Sequence, residues 1–402
     1  MDRVQIEKLD VFGRGIARIN NKLCFISYTL PDEECDIELI KDKKNYSEGK
    51  LINLITKSSN RVDASCPYYF LCGGCHLMHL DYKKQLDYKK DKVKELLDRF
   101  GKIDFNIDKI NYDKEYNYRN KITLHVKDKK IGLYKEETND LIEIDKCLLV
   151  SDIINNLIVR LKEFISNNDT DITEIVIKNT SLKEVMLIIN GECNKELLID
   201  SFKDINSIYL NDNLIYGKNS ITEIINDLYF EVYPRSFFQV NYNVMLKMYN
   251  KVIDYYKEHK DLKVLDLYCG TGTIGMLVSK YSKYVLGIEV NSDAVISANK
   301  NKTRNNIVNI DFICGKVEDN IDSINGIDSI VVDPPRAGLD KYTIDNIIRL
   351  NPSSLIYISC DPVTLARDLN ILKDYYDIKE IEVFDMFPNT YHCESVCILE
   401  RR

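Results

Sequence analysis

A cysteine stands at an unusual point in the stretch YISCDPVTLARD, residues 357 to 368. Tyr357 and Ile358 read as the end of a buried strand, and Thr364 to Leu369 as the first turns of a helix. Cys360 lies in the connection, immediately before Asp361-Pro362. A thiol there is a candidate nucleophile, and the positive end of the following helix is expected to help lower its pKa. That help matters, because an unperturbed thiol of pKa ~8.5 is mostly protonated at neutral pH. The closing segment FDMFPNTYHCESVCILERR supplies His392 and Glu394 as candidate bases.

A second constellation points to a cofactor. DLYCGTGTIG matches G-x-G-x-x-G through Gly270, Gly272 and Gly275, between a predicted strand and a predicted helix. The next strand, YVLGIEV, ends near Glu289, 19 residues after Gly270. A carboxylate there can accept hydrogen bonds from two vicinal ribose hydroxyls, in NAD or equally in S-adenosylmethionine. Two features favour the methyl donor. Asp266 would oppose a pyrophosphate but could face a sulfonium or an amino group. SIVVDPPRAG ends another strand in Asp333-Pro334-Pro335, and two prolines hold that backbone rigid where ligands bind. A thiol beside a methyl donor suggests chemistry at a pyrimidine. C5 of uracil is a poor nucleophile. A thiolate adding to C6 makes C5 an enolate carbon that can take a methyl group, and a base must then remove the C5 proton.

A third group is built for metal. CPYYFLCGGC sets Cys66, Cys72 and Cys75 in a C-x5-C-x2-C array, and the next cysteine is Cys147. Four soft thiols suit an iron–sulfur cluster or a tetrahedral zinc, and the spacing does not choose between them. Gly73-Gly74 lets the backbone wrap closely. His76 and His79 lie near enough to be alternative ligands.

The elements that must carry these residues follow from pattern. Residues 1–57 read as five short strands separated by turns, which suggests a small barrel of the oligonucleotide-binding type. A charged helix is expected from about Tyr82 to Phe100, then mixed strands with a helix near 151–166. From about Ser236, strands and helices alternate, as in a doubly wound, mostly parallel sheet. The expected division is 1–58, 59–235 and 236–402. Twelve cysteines without an apolar export signal imply reduced thiols and a cytoplasmic setting. No run of about 18 apolar residues suggests a membrane span. The formal charge of −8 arises from residues 151–402, which hold 27 basic and 37 acidic side chains, so a local basic track remains compatible with it. The expected track runs through Lys83, Lys84, Lys89 and Lys90 to Arg119 and Lys121.

Together the array CPYYFLCGGC, SFFQVN (236–241), DLYCGTG, DPPRAG, YISCDPVTLARD and FPNTYHCESV resemble the RNA (uracil-5-)-methyltransferase family over nearly the whole chain. The resemblance implies an N-terminal TRAM domain (an OB-like RNA-binding barrel), a central α/β domain holding a metal cluster, and a C-terminal Rossmann-like methyltransferase domain. A barrel plus four thiols is similar to the iron–sulfur, 23S rRNA-type branch. By position, Cys360 matches the nucleophile and Glu394 the base. Gln239, Tyr268, Glu289 and Asp333 match the contacts to S-adenosylmethionine. Cys66, Cys72, Cys75 and Cys147 match the ligands of a [4Fe–4S] cluster. The expected function is 5-methyluridine formation in RNA, in 23S rRNA first and tRNA as the alternative, by a monomer with no obligate protein partner. An amino-group methyltransferase on adenine or cytosine is a further reading of Asp-Pro-Pro. Those enzymes usually carry an aromatic residue where this chain has Arg336, and they need no thiol.

Overall fold

The computed structural model of the chain describes residues 2–402. The strands that carry the cofactor and thiol motifs are near-continuous apolar runs, and this places them at the centre of a sheet covered on both faces. Strands Lys263–Leu267, Ser329–Val332 and Ser354–Ser359 are buried along almost their whole length. They belong to an eight-stranded sheet. Its spatial order is Ile310–Cys314, Tyr284–Glu289, Lys263–Leu267, Ser329–Val332, Ser354–Ser359, Glu394–Arg401, Tyr376–Phe384 and Ile110–Asn111. The first five are parallel, and Glu394–Arg401 runs antiparallel between Ser354–Ser359 and Tyr376–Phe384. That antiparallel insertion brings the start of the last strand, Glu394, to the edge where the parallel strands end. Two hydrophobic layers cover the faces, one around Leu265, Ile330 and Leu355, the other around Val264, Val331 and Ile356.

The first residues form a six-stranded sheet, one strand more than the turn pattern predicts. The run VQIEKLD breaks at Ile6-Glu7. Asp2–Gln5 pairs with Glu34–Asp42, and Lys8–Leu9 pairs with Gly15–Ile19. At the break, the Ile6 N–H donates to Glu33 O and the Glu7 N–H to Ile16 O, so the chain changes partner without losing a hydrogen bond. A seven-stranded, mostly antiparallel sheet spans Lys121–Gly217, with helix Asp152–Asn167 packed on it. Helix Tyr82–Leu96 and strand Ile110–Asn111 do not join that central sheet. Val93, Leu97, Ile103 and Ile107 are buried in the same layer as Leu365, Leu369 and Leu372, on the catalytic sheet. No helix among the described residues is long and apolar enough to cross a membrane.

Candidate active site

At the carboxyl ends of the parallel strands lies a cavity of about 1420 Å³. Its wall includes Gln239, Tyr268, Glu289, Asp333, Cys360, His392 and Glu394, so the predicted cofactor contacts, nucleophile and bases meet in one space. The glycine turn forms one end. Gly270 and Gly272 take φ of +53° and +76°, as glycine does at low cost, and Tyr268 beside them holds +63°, which is strained for an aromatic residue. No atom lies within 4 Å of where a Gly270 side chain would stand, so a ligand can approach the backbone there. The Glu289 carboxylate is fixed by the N–H groups of Gly270 at 3.0 Å and Asn291 at 2.8 Å. Its remaining lone pairs are free to accept from hydroxyls.

Asp266 does a different job from the one its position suggested. It is buried outside the cavity wall, and its Oδ2 accepts the Gly275 N–H at 2.9 Å. It braces the glycine turn from behind. Burial pushes its carboxyl up to about 8.

Cys360 follows strand Ser354–Ser359, and helix Pro362–Leu372 begins two residues later. The helix does not lower its pKa as expected. Asp361 caps the helix, accepting from Val363 N–H at 2.8 Å and Thr364 N–H at 3.1 Å, so a carboxylate already occupies the positive end. Burial, then the carboxylates of Glu394 and Asp333, push the thiol up to about 12, against the pull of Arg336. Burial and Asp333 likewise hold Glu394 well above the usual carboxylate range. His392 goes the other way: burial and the nearby cations lower it to about 3, so it stays neutral at physiological pH. The sequence reading passed over Arg336 as an active-site cation. The signal was its place directly after the rigid Asp333-Pro334-Pro335 turn, on the same wall.

Desolvation raises the Asp333 carboxyl to about 7 from an ordinary 3.8. The folded chain therefore holds this proton more tightly than the unfolded chain. The associated stability is present in full below the ordinary pKa and is lost as pH rises through about 7. Asp333→Asn should thus raise the melting temperature of the ligand-free protein, by a margin that grows between pH 5 and pH 8. A margin that is flat or shrinks with pH in thermal melts contradicts this account.

Residues 204–402 match the tRNA (Uracil-5-)-methyltransferase family, and residues 3–52 match the TRAM domain. An uncharacterized RNA methyltransferase of Clostridium tetani is 35% identical, over 96% of this chain and 93% of its own length. Another, from Caldanaerobacter subterraneus, is 37% identical over 99% and 97%. The chain belongs to the RNA (uracil-5-)-methyltransferase family. Among solved structures, a Pyrococcus abyssi tRNA (uracil-54, C5)-methyltransferase in complex with S-adenosyl-L-homocysteine superposes with a TM-score of 0.83 at 29% identity. The match covers 99% of this chain and 100% of that one. The family assignment makes this an S-adenosylmethionine-dependent RNA methyltransferase of the uracil-C5 class with an N-terminal TRAM domain.

The cysteine array is gathered but not closed. Cys66, Cys75 and Cys147 share one small cluster with Tyr69, Met78, Tyr118 and Leu149, and Cys72 and Cys147 also border the central core. All four are free thiols. A side chain at Gly73 would meet Glu136 Cα at 3.1 Å, so the loop does wrap tightly. Yet among the described residues no group of three or more His, Cys, Asp or Glu is arranged to hold a metal ion. His79 is buried and bonded through Nδ1 to the Tyr69 hydroxyl at 2.6 Å, while its Nε2 has no partner.

The expected basic track is also revised. Lys89 is fully buried and paired with Asp385, and Lys84 pairs with Asp87 on the surface. The helix turns Gln85, Lys89 and Lys92 inward, so Lys89 is removed from the expected track.

Proposed function

We propose that this enzyme methylates C5 of a specific uridine in a structured RNA, with Cys360 as nucleophile and Glu394 as base. The observation that carries the reading is the meeting of Cys360, Glu394 and Asp333 on the wall of the cavity that ends at the glycine turn. Gln239, Tyr268, Glu289 and Asp333 would hold S-adenosylmethionine, which when bound supplies an electrophilic methyl group. The target uridine leaves its stack, at a cost of a few kcal/mol. Cys360 gives its proton to water in the open cavity, and its sulfur bonds to C6. The C5 enolate carbon then takes the methyl. Glu394 removes the C5 proton, the C–H electron pair becomes the C5=C6 bond, and the sulfur leaves with the electrons of the C6–S bond. Arg336 favours both anions. Glu394 first releases its own proton to water in the cavity, and Arg336 favours the resulting carboxylate against burial and Asp333.

We assign 23S rRNA as the target on the combination of barrel and four cysteines. A tRNA uridine has separate support, because the whole chain matches a solved tRNA (uracil-54, C5)-methyltransferase. Mapping 5-methyluridine across total RNA, with and without the gene, decides between them. Loss of a 23S site supports the first assignment, loss of a tRNA site the second. No lost site at all overturns the function.

We further propose three units, an RNA-binding barrel at 1–58, a central cluster-bearing domain at 59–235 that lends helix Tyr82–Leu96 and strand Ile110–Asn111 to the catalytic sheet, and a transfer domain at 236–402, in an enzyme that acts in the cytoplasm as a monomer. We assign Cys66, Cys72, Cys75 and Cys147 as ligands of a [4Fe–4S] cluster, with zinc the alternative. The support is the donor set: four free thiols gathered around the Gly73-Gly74 loop, where a side chain at Gly73 would crowd Glu136. Protein purified without oxygen should then contain iron and sulfide in equal amounts and lose both with Cys75→Ser. Zinc without sulfide would replace the cluster assignment, and neither metal would remove it.

A further inference from the structure

Glu394 stands at the end of a loop, residues 385–393, that joins the last two strands of the catalytic sheet. The loop also carries Phe387 and His392 to the cavity wall. It has almost no regular structure of its own, so something outside it must fix its shape. That support is one face of helix Tyr82–Leu96. Gln85, Lys89 and Lys92 are buried there, although a surface helix normally leaves such residues in water. The Lys89 ammonium pairs with the Asp385 carboxylate, whose other oxygen accepts from the Tyr82 hydroxyl at 2.8 Å. The same ammonium donates to Phe387 O at 2.9 Å. Lys92 donates to Tyr391 O. Gln85 makes a two-way bond with Asn389: its Oε1 accepts the backbone N–H at 3.0 Å, and its Nε2 donates to Oδ1 at 3.2 Å. From the cysteine segment, the N–H groups of His76 and Leu77 both donate to Asn389 O, at 2.8 and 3.0 Å. Four successive anchor points, at 385, 387, 389 and 391, thus lie within ten residues of the candidate base.

We infer that Gln85 and Lys89 are positioning residues for the proton-removal step, holding the 385–393 loop so that Glu394 meets the C5 proton of the methylated adduct. This rests on the proposed role of Glu394. A buried lysine with a buried aspartate is costly to assemble and adds little net stability, so selection for position is a better account of it than selection for stability. The step served is the last one: the C5 proton passes to the carboxylate, its electron pair closes C5=C6, and the C6–S bond breaks. Carbon–sulfur bond formation and methyl transfer use Cys360 and the glycine turn, which lie on other strands. Loosening the loop should therefore slow release without stopping attack.

The test uses the full-length protein with Gln85→Leu, and with Lys89→Met combined with Asp385→Asn, which leaves no unpaired buried charge. Three quantities are measured: turnover on ordinary RNA, the amount of covalent protein–RNA complex at steady state, and adduct formation on RNA containing 5-fluorouridine. A misplacement of about 1 Å costs roughly 100-fold, so turnover should fall by 10- to 100-fold. The steady-state complex on ordinary RNA should rise, while the fluorouridine adduct should form at close to the wild-type rate. A parallel fall in turnover and in adduct formation would mean that the loop contacts are only structural, and unchanged turnover would mean that they do not matter. Either result overturns the inference. If the wild-type enzyme itself forms no fluorouridine adduct, the nucleophile–base reading fails first and the inference falls with it.

Discussion

Cys360→Ala should abolish methyl transfer to RNA, with a loss of roughly 10⁴- to 10⁶-fold, the range seen when a covalent nucleophile is removed. Binding of S-adenosylmethionine should survive, because the glycine turn, Glu289 and Gln239 lie on other elements. Direct attack of C5 on a methyl group without prior addition at C6 has no enolate to drive it, so little activity should remain. The decisive reagent is RNA carrying 5-fluorouridine. Fluorine cannot be removed as a cation, so the reaction stops after methyl transfer with C6 still bonded to sulfur. Wild-type protein should give a denaturant-resistant protein–RNA complex that needs the cofactor, and the alanine variant should give none. The chain has eleven other cysteines, and an adduct that persists in Cys360→Ala would assign the nucleophile elsewhere. Methylation at the wild-type rate by this variant would end the covalent mechanism. The thiol is only partly buried, so the fold should tolerate the change.

Much of the catalytic sheet could be read from sequence because its signals are local. Three of the five parallel strands are short apolar runs followed by residues that break a strand: Gly270 after one, Pro334-Pro335 after another, Pro362 after a third. The same breaks set Glu289, Asp333 and Cys360 at one edge, so the composition of the cavity wall followed from strand order. Three things did not follow. Lys89 sits on a helix rich in charge, and nothing in its neighbours tells that its partner is Asp385, 296 positions later. Ile110–Asn111 is two residues long, too short for a period, and only the edge of the finished sheet makes it a strand. The Cys360 pKa was misjudged because its main causes lie far off in the sequence: burial in the finished fold, then the carboxylates of Glu394 and Asp333, outweigh the helix end that Asp361 already caps.

Glu394→Gln should separate the two halves of the reaction. Glutamine keeps the shape and removes the charge. The side chain is 4% exposed, the first residue of its strand and opposite Phe384, so the fold loses no contact that depends on ionisation. What it loses is a buried carboxylate held well above its usual range by burial and by Asp333. The variant should be at least as stable as wild type at pH 8, where the wild-type carboxylate is under most pressure to ionise. Attack by Cys360 should become easier. Glu394 is the largest electrostatic influence raising the thiol, and removing it shifts thiolate formation, and with it adduct formation, to lower pH. Release should become much slower, by 10²- to 10⁴-fold, since no general base of comparable placement remains. His392 on the same wall is neutral at physiological pH and could in principle accept the proton, but its lowered pKa makes it a weak base. The joint result is distinctive: ordinary RNA should accumulate in covalent complex with the glutamine variant to a greater extent than with wild type, bound through Cys360 and already methylated. Steady-state turnover, gel-stable complex and the mass of the bound nucleotide measure the three parts. Turnover at the wild-type rate with no accumulation would show that the proton leaves by another route, and the base would then have to be sought at His392 or in water ordered by Asp333.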